Sequence, residues 1–394
     1  MKVPLLDLKA QYAAIRGEIK EAVEGVLESQ YFILGPEVEA LEGEVARYVG
    51  ADFAVGVASG SDAILVALMA LKIGSMSGGE ATDAVVTTPY SFFATAGSIT
   101  RVGAVPIFID IDPATFNIDP EKLKSFLSGL KSSGDSLKTK DGLKIKAIMP
   151  VHLYGQTADM DPILELAVKY GLSVVEDAAQ AIGSKYKGRG AGSMGDFGCF
   201  SFFPSKNLGG YGDGGMLTTN NADLAERARI LRNHGSKPKY YHKIVGLNSR
   251  LDALQGAILR VKLKHLDKWS EGRRKNADIY RELITSSGIA AGKNPVVTLP
   301  VEVDGYHHIY NQFVITVEDR DGLRACLADN GIGTEIYYPL PLHIQECYKD
   351  LGYSKGDFPE SERGALTSLA LPVYPELTRK MIDYVVDTIA EFYK

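Results

Sequence analysis

Lys206 lies in the run Phe200-Ser201-Phe202-Phe203-Pro204-Ser205-Lys206-Asn207, and the glycine-rich turn Leu208-Gly209-Gly210-Tyr211-Gly212-Asp213-Gly214-Gly215 follows at once. An amine held among aromatic and small side chains is short of water, which lowers its pKa and favours the free base that condenses with aldehydes. Upstream, Ser173-Val174-Val175-Glu176-Asp177-Ala178-Ala179-Gln180 reads as a buried parallel strand ending in a carboxylate, where open α/β sheets present their ligand groups. A Schiff-base lysine and an acid, each at the end of its own strand, are the pair that pyridoxal phosphate chemistry requires.

That cofactor makes five demands, and the chain holds a candidate for each. Lys206 supplies the amine, and Asp177 the carboxylate that keeps the ring nitrogen protonated. Gln180, three residues on, is placed for the ring hydroxyl. The phosphate needs amides and hydroxyls at a helix N-terminus, which Ala58-Ser59-Gly60-Ser61-Asp62 offers through Ser59, Gly60 and Ser61, with Ser201 adding a hydroxyl near the lysine. The ring face needs a flat apolar partner, and Tyr90-Ser91-Phe92-Phe93 provides one, Phe92 or Phe93. Each piece alone has a plain structural reading as a cap, a turn or core packing; their order and spacing make the case.

The elements that must position these residues alternate along the chain. Strands are predicted at 53–57, 84–88, 105–109, 147–151, 173–176, 198–203 and 216–219, with crossover helices at 61–72 and 160–170. Ahead of them, apolar positions at helical spacing between 9 and 49, broken at Ile33-Leu34-Gly35-Pro36, predict two helices. The polar stretch 128–144 reads as an insertion loop, 251–283 as one long connecting helix, and 310–317 as a strand. The fold class is α/β: a mostly parallel seven-stranded sheet flanked by helices in a large cofactor-binding domain over 1–265, and a smaller α+β domain over 266–394.

Bulk properties narrow the rest. With 394 residues, 45% hydrophobic and 23% charged, the chain has the make-up of a soluble globular protein of two domains. A net charge of −6 speaks against a nucleic-acid partner. Cys199, Cys326 and Cys347 form no metal or disulfide pattern, the histidines do not cluster at metal-ligand spacing apart from the adjacent His307-His308, and no apolar run is long enough to span a bilayer. No metal, no membrane partner and a cytoplasmic location are therefore expected.

The sequence resembles the DegT/DnrJ/EryC1/StrS family of fold-type-I sugar aminotransferases over nearly its whole length. The resemblance runs through Phe32-Ile33-Leu34-Gly35-Pro36-Glu37-Val38, Ala58-Ser59-Gly60-Ser61-Asp62-Ala63, Asp110-Ile111-Asp112-Pro113, Pro150-Val151-His152-Leu153-Tyr154-Gly155-Gln156, Glu176-Asp177-Ala178-Ala179-Gln180, Ser201-Phe202-Phe203-Pro204-Ser205-Lys206-Asn207, Gly246-Leu247-Asn248-Ser249-Arg250-Leu251-Asp252 and Leu371-Pro372-Val373-Tyr374-Pro375-Glu376-Leu377. It implies that Lys206 forms the Schiff base, Asp177 pairs with the ring nitrogen, Gln180 contacts the ring oxygen, Phe92 stacks on the ring, and Ser59, Gly60 and Ser201 hold the phosphate. It further implies a homodimer with shared sites, in which Asn248 reaches the neighbour's phosphate and Arg250 lies near substrate. The donor it implies is L-glutamate and the acceptor a keto group of a dTDP- or UDP-linked hexose, with the His152-Leu153-Tyr154-Gly155-Gln156 run resembling members that act at C3.

Departures and alternatives stand beside this. Tyr337 occupies the place of a histidine in the family's His-Tyr-Pro segment, so the substrate contact of Tyr337 and Tyr338 is open. His307 and His308 precede a predicted strand and either touch substrate, His308 being the candidate, or pack. The basic, aromatic run from Arg232 to Lys243 is either a solvated loop or a reach toward the partner's nucleotide. Same-fold alternatives are a 4-keto sugar or cyclitol aminotransferase, a dehydratase relative, which would carry histidine at position 206, and a non-catalytic relative that binds the cofactor. A nucleotide-binding dehydrogenase would need a G-x-G-x-x-G turn after an early strand, and Ala58-Ser59-Gly60-Ser61-Asp62-Ala63 does not match.

Overall fold

The computed structural model describes residues 1–133, 136–292 and 295–394. Its main sheet contains β1 (Phe53–Val57), β2 (Asp83–Thr87), β3 (Val105–Phe108), β4 (Lys131–Ser133), β5 (Ser136–Lys138), β6 (Lys144–Ile148), β7 (Ser173–Asp177), β10 (Phe197–Ser201) and β11 (Gly215–Thr219). Seven of these run in the order β1-β11-β10-β7-β6-β2-β3, and β11 alone opposes its neighbours while the other pairings on the path are parallel. The continuous apolar runs read from the sequence are what such strands need, because helices cover both faces; all five residues of β2 are buried. A fully buried valine or isoleucine contributes about 1.5–3 kcal/mol. Register is therefore fixed by the core, and with it the strand ends that carry Asp177 and the segment leading to Lys206.

A small sheet joins β13 (Tyr306–His307), β8 (Lys185–Tyr186) and β9 (Arg189–Gly190). The C-terminal sheet is β12 (Val297–Thr298), β14 (Phe313–Val317) and β15 (Ser368–Leu371), packed with the helices Leu266–Ser287, Arg320–Asp329 and Arg379–Phe392 around its own core of Tyr280, Phe313, Ile315, Leu369 and Ile382. Val3 belongs to this second core and pairs with Ile332, so the first residues sit with the C-terminal layer and not with the rest of 1–265.

Three expectations change in detail. The stretch 128–144 contains a hairpin in place of a plain loop: β4 pairs with β5, and β5 extends the main sheet against β6, while residues 134–135 lie outside the described residues. The single helix expected over 251–283 is two, Ala253–Leu263 and Leu266–Ser287, interrupted where His265 stacks on Trp269 and its Nε2 meets Glu18 at 3.0 Å. The strand expected from 310 starts at Phe313, since Tyr310 takes a positive φ that an extended strand does not allow.

Behind β1 lies a buried ion pair. Glu42 accepts the Gly56 N–H at 2.8 Å and pairs with Arg232, which also donates to the Gly56 carbonyl at 2.7 Å. Arg232 is thus a structural member of the segment read as basic and open; Lys237 pairs with Glu226, and Tyr240 and Tyr241 remain exposed. Arg232→Ala would leave Glu42 charged and unpaired in a dry site, and urea unfolding should show a loss of about 3–5 kcal/mol.

Candidate active site

One cavity of about 480 Å³ opens at the C-terminal ends of the parallel strands, lined among others by Ser59, Gly60, Phe92, Asp177, Gln180, Ser201, Lys206, Gln312, Tyr337 and Tyr338. This is the switch-point location expected of an open α/β sheet. The sequence-derived cofactor residues Ser59, Gly60, Ser61, Phe92, Asp177, Gln180, Ser201 and Lys206 all meet here.

Lys206 follows β10 on a turn closed by its own N–H donating to the Phe203 carbonyl at 2.9 Å. Burial pushes its amine down to about 8, with Asp177 opposing the shift. Asp177, at the end of β7 and 5% exposed, accepts from Thr95 Oγ1 at 2.7 Å and from the Ala179 N–H at 3.3 Å. Burial raises its pKa while those hydrogen bonds and Lys206 pull the other way. A carboxylate made basic by its dry surroundings is a strong acceptor for a ring N–H⁺, and such a cation would return it to the ionised form. Ser91 Oγ, 2.8 Å from Thr95 Oγ1, extends this chain of contacts.

The phosphate candidate is the start of the helix Gly60–Ala70. Ser59 caps it by accepting the Asp62 N–H at 3.1 Å, and Ser249 ties the cap from behind, accepting from the Ala58 N–H at 3.3 Å and donating to Asp62 at 2.9 Å. Gly60 is required by contact, since a Cβ there would stand 2.6 Å from that of Ser201. The remaining first-turn amides stay available for an anion. Phe92, 57% exposed, presents its ring to the cavity 6.0 Å from that of Tyr338.

Gln180 spans the two layers. Its Oε1 accepts the Tyr154 N–H at 2.7 Å and its Nε2 donates to the Tyr338 hydroxyl at 3.0 Å, leaving one N–H for a ligand. Tyr90 donates to the Tyr337 carbonyl at 2.6 Å, and Tyr154 reaches the same oxygen. Buried tyrosines thus seat the Tyr337–Tyr338 segment against the cavity.

Other predicted residues lie elsewhere. His308 is not among the cavity's lining residues: it stacks on Tyr310 at 3.9 Å, accepts the Tyr310 N–H at 3.0 Å, and is driven by burial down to about 3, so it is a neutral packing group. Asn248 is exposed and Arg250 holds Asn233 at 3.1 Å, both outside this chain's own cavity. His152 is buried, with Nδ1 accepting the Ala158 N–H at 3.0 Å and Nε2 facing Glu176 at 2.9 Å, so it braces the strand end and does not line the cavity. Sequence reasoning missed Thr95, Gln312 and Asp213. Gln312 and Asp213 line the cavity, and a hydroxyl one helical turn after Ser91 was the available clue to Thr95.

Pyridoxal phosphate fits what this cavity offers: an amine of lowered basicity, a buried acid, a glycine-floored helix start and an aromatic face. Fold and site are those of a pyridoxal-phosphate aminotransferase. The chain belongs to the DegT/DnrJ/EryC1/StrS aminotransferase family, whose pattern matches residues 13–390. It is 49% identical to a pleiotropic regulatory protein of Geobacillus stearothermophilus, covering 100% of this chain and 99% of that one. It is 41% identical to a UDP-N-acetyl-3-dehydro-alpha-D-glucosamine 3-aminotransferase of Acidithiobacillus ferrooxidans, over 98% and 97% of the two chains. Among solved structures, S. venezuelae DesV in complex with a ketimine intermediate superposes with a TM-score of 0.90 at 38% identity, covering 100% and 99%.

A pH prediction follows from the amine. Because the free base attacks the aldehyde and burial lowers the pKa to about 8, capture of pyridoxal phosphate by the cofactor-free protein should rise with pH and level off near that value. Stopped-flow absorbance checks this; a rate still climbing toward the ordinary lysine range of about 10.4 would mean a solvated amine.

Proposed function

We propose that the protein moves an amino group from L-glutamate to the C3 keto group of a dTDP- or UDP-linked hexose, as a cytoplasmic homodimer with shared sites. The observation that carries the chemistry is the meeting of Lys206 and Asp177 in one cavity with the Gly60 cradle and Phe92. Choice of C3 is supported by the 3-aminotransferase at 41% identity.

Bound pyridoxal phosphate supplies an aldehyde carbon for amines and a ring that takes up the electron pair left when a substrate α-proton departs. The protein does the rest. Once the incoming amino acid has taken its place, Lys206 Nζ would be the base that accepts the proton from the substrate's α-carbon and would return it two bonds away, at the carbon that was the cofactor's aldehyde. Its lowered pKa suits both directions of that transfer near neutrality. Asp177 holds the ring nitrogen's proton, Thr95 fixes the carboxylate, Phe92 covers one ring face, and the Ser59–Ser61 turn anchors the phosphate. With 2-oxoglutarate released, Lys206 would run the same proton transfer in reverse, the amino group passing to the sugar's keto carbon and the keto oxygen leaving as water.

The test is incubation with ¹⁵N-glutamate and paired 3-keto and 4-keto nucleotide hexoses. Label at C3 of the sugar with equimolar 2-oxoglutarate is expected; label at C4 alone, or none, would overturn the proposal. Sharing of the site has its own check. Co-expressed Lys206→Ala and Asn248→Ala/Arg250→Ala subunits, each inactive alone, should recover about a quarter of wild-type activity, since half of randomly paired dimers contain one intact site of two.

A further inference from the structure

A second buried lysine touches the loop that carries the reactive one. Lys262, on the helix Ala253–Leu263, is 1% exposed and has no salt-bridge partner among the described residues. Its ammonium donates to the Gly209 carbonyl and faces the rings of Tyr211 at 5.2 Å and Trp269 at 5.9 Å. Taking an ammonium out of water costs several kcal/mol, more than one neutral acceptor and two ring faces restore. Burial accordingly lowers its pKa to about 8. A methionine would fill the volume without that cost, so stability does not account for a cation here.

What Lys262 grips is the return arm of the loop that carries Lys206. That loop leaves β10 at Phe202, whose N–H donates to the Gly214 carbonyl at 2.8 Å, and comes back through Gly210, whose N–H donates to the Phe202 carbonyl at 2.8 Å. Gly209 lies directly on the outgoing arm: any Cβ there would collide with the Pro204 carbonyl oxygen. Two turns earlier on the same helix face, Gln255 accepts the Tyr211 N–H at 2.8 Å. The helix therefore holds the return arm at Gly209 and Tyr211, and the return arm backs the turn from Phe203 to Lys206.

We propose that Lys262 is a positioning residue for Lys206: by fixing the Gly209 carbonyl it braces the loop from behind and holds the reactive amine at the right reach into the cavity. The proposal rests on Lys206 being the amine that holds pyridoxal phosphate. The test compares wild type with Lys262→Met, which keeps length and removes the donor. Wild type serves as the check on that assignment, because borohydride must fix the cofactor to Lys206 there before the variant is read. In Lys262→Met the melting temperature should be unchanged or higher. The fraction of bound cofactor that borohydride fixes to Lys206 should fall, and kcat should drop by about 10- to 100-fold, as expected for a displacement near 1 Å, with the KM for glutamate nearly unchanged. Wild-type fixation and kcat, or a loss of melting temperature without loss of fixation, would overturn the proposal. Should Lys262→Met fail to fold, Gln255→Leu, which releases the other tie, carries the same expectations.

Discussion

Lys206→Ala is expected to retain the fold and the phosphate site while losing turnover by about 10⁴-fold or more, the upper end of what a positioned acid/base contributes, because in the proposed function this one amine would also hold the cofactor covalently. Nothing else in the cavity replaces it. Among its described lining residues the other ionisable side chains are Asp177, Asp213, Tyr337 and Tyr338, and none is an amine. The variant should bind pyridoxal phosphate without the yellow chromophore and give it up on dialysis. Thermal melting, absorbance and single-turnover assays read the three parts separately. Activity within tenfold of wild type would remove Lys206 from the chemistry.

Asp177→Asn should behave differently, and the contrast is informative. Asparagine keeps the size and can still accept from Thr95, so folding and chromophore should survive. What disappears is the charge that, in the proposed function, would keep the ring nitrogen protonated. Loss of one preorganised electrostatic partner in a dry site costs on the order of 10²- to 10³-fold in kcat. Asp177 is also the group that opposes the downward shift of Lys206, so its removal should move the pH midpoint of cofactor capture further below 8. A drop in kcat with no movement of that midpoint would mean that the carboxylate and the amine do not sense each other.

How far the site was readable in the chain follows from where each residue's direction is set. Asp177 was legible because it ends a strand whose apolar run fixes its register, and Lys206 because it follows such a strand on a short turn closed by its own N–H. The Ser59-Gly60-Ser61 turn was legible because a helix start displays its own amides. Gln312 was not: it reaches the cavity only because the chain bends at Tyr310, where Arg273 on a distant helix gathers the carbonyls of Tyr310 at 3.1 Å and Val373 at 2.7 Å. His308 misled for the same reason, its ring being turned onto Tyr310 by a local hydrogen bond that no pattern of residue types announces. At the interruption, His265 meets Glu18, a residue nearly the whole large sheet away in sequence.

The electrostatics add what the sequence could only suggest. Burial acts on Lys206 and Asp177 in opposite senses, making the amine less basic and the acid more so, while their mutual attraction limits both shifts. Two groups drawn toward neutrality from either side are what a proton-transfer site near neutral pH needs.

The most direct measurement is reduction of the cofactor-loaded protein with borohydride followed by peptide mass mapping, with and without prior glutamate. A phosphopyridoxyl mass is expected on the peptide bearing Lys206 and on no other, and it should disappear when glutamate has first converted the cofactor to its amine form. The mass on a different lysine, Lys262 included, or a Lys206 adduct indifferent to glutamate, would contradict it.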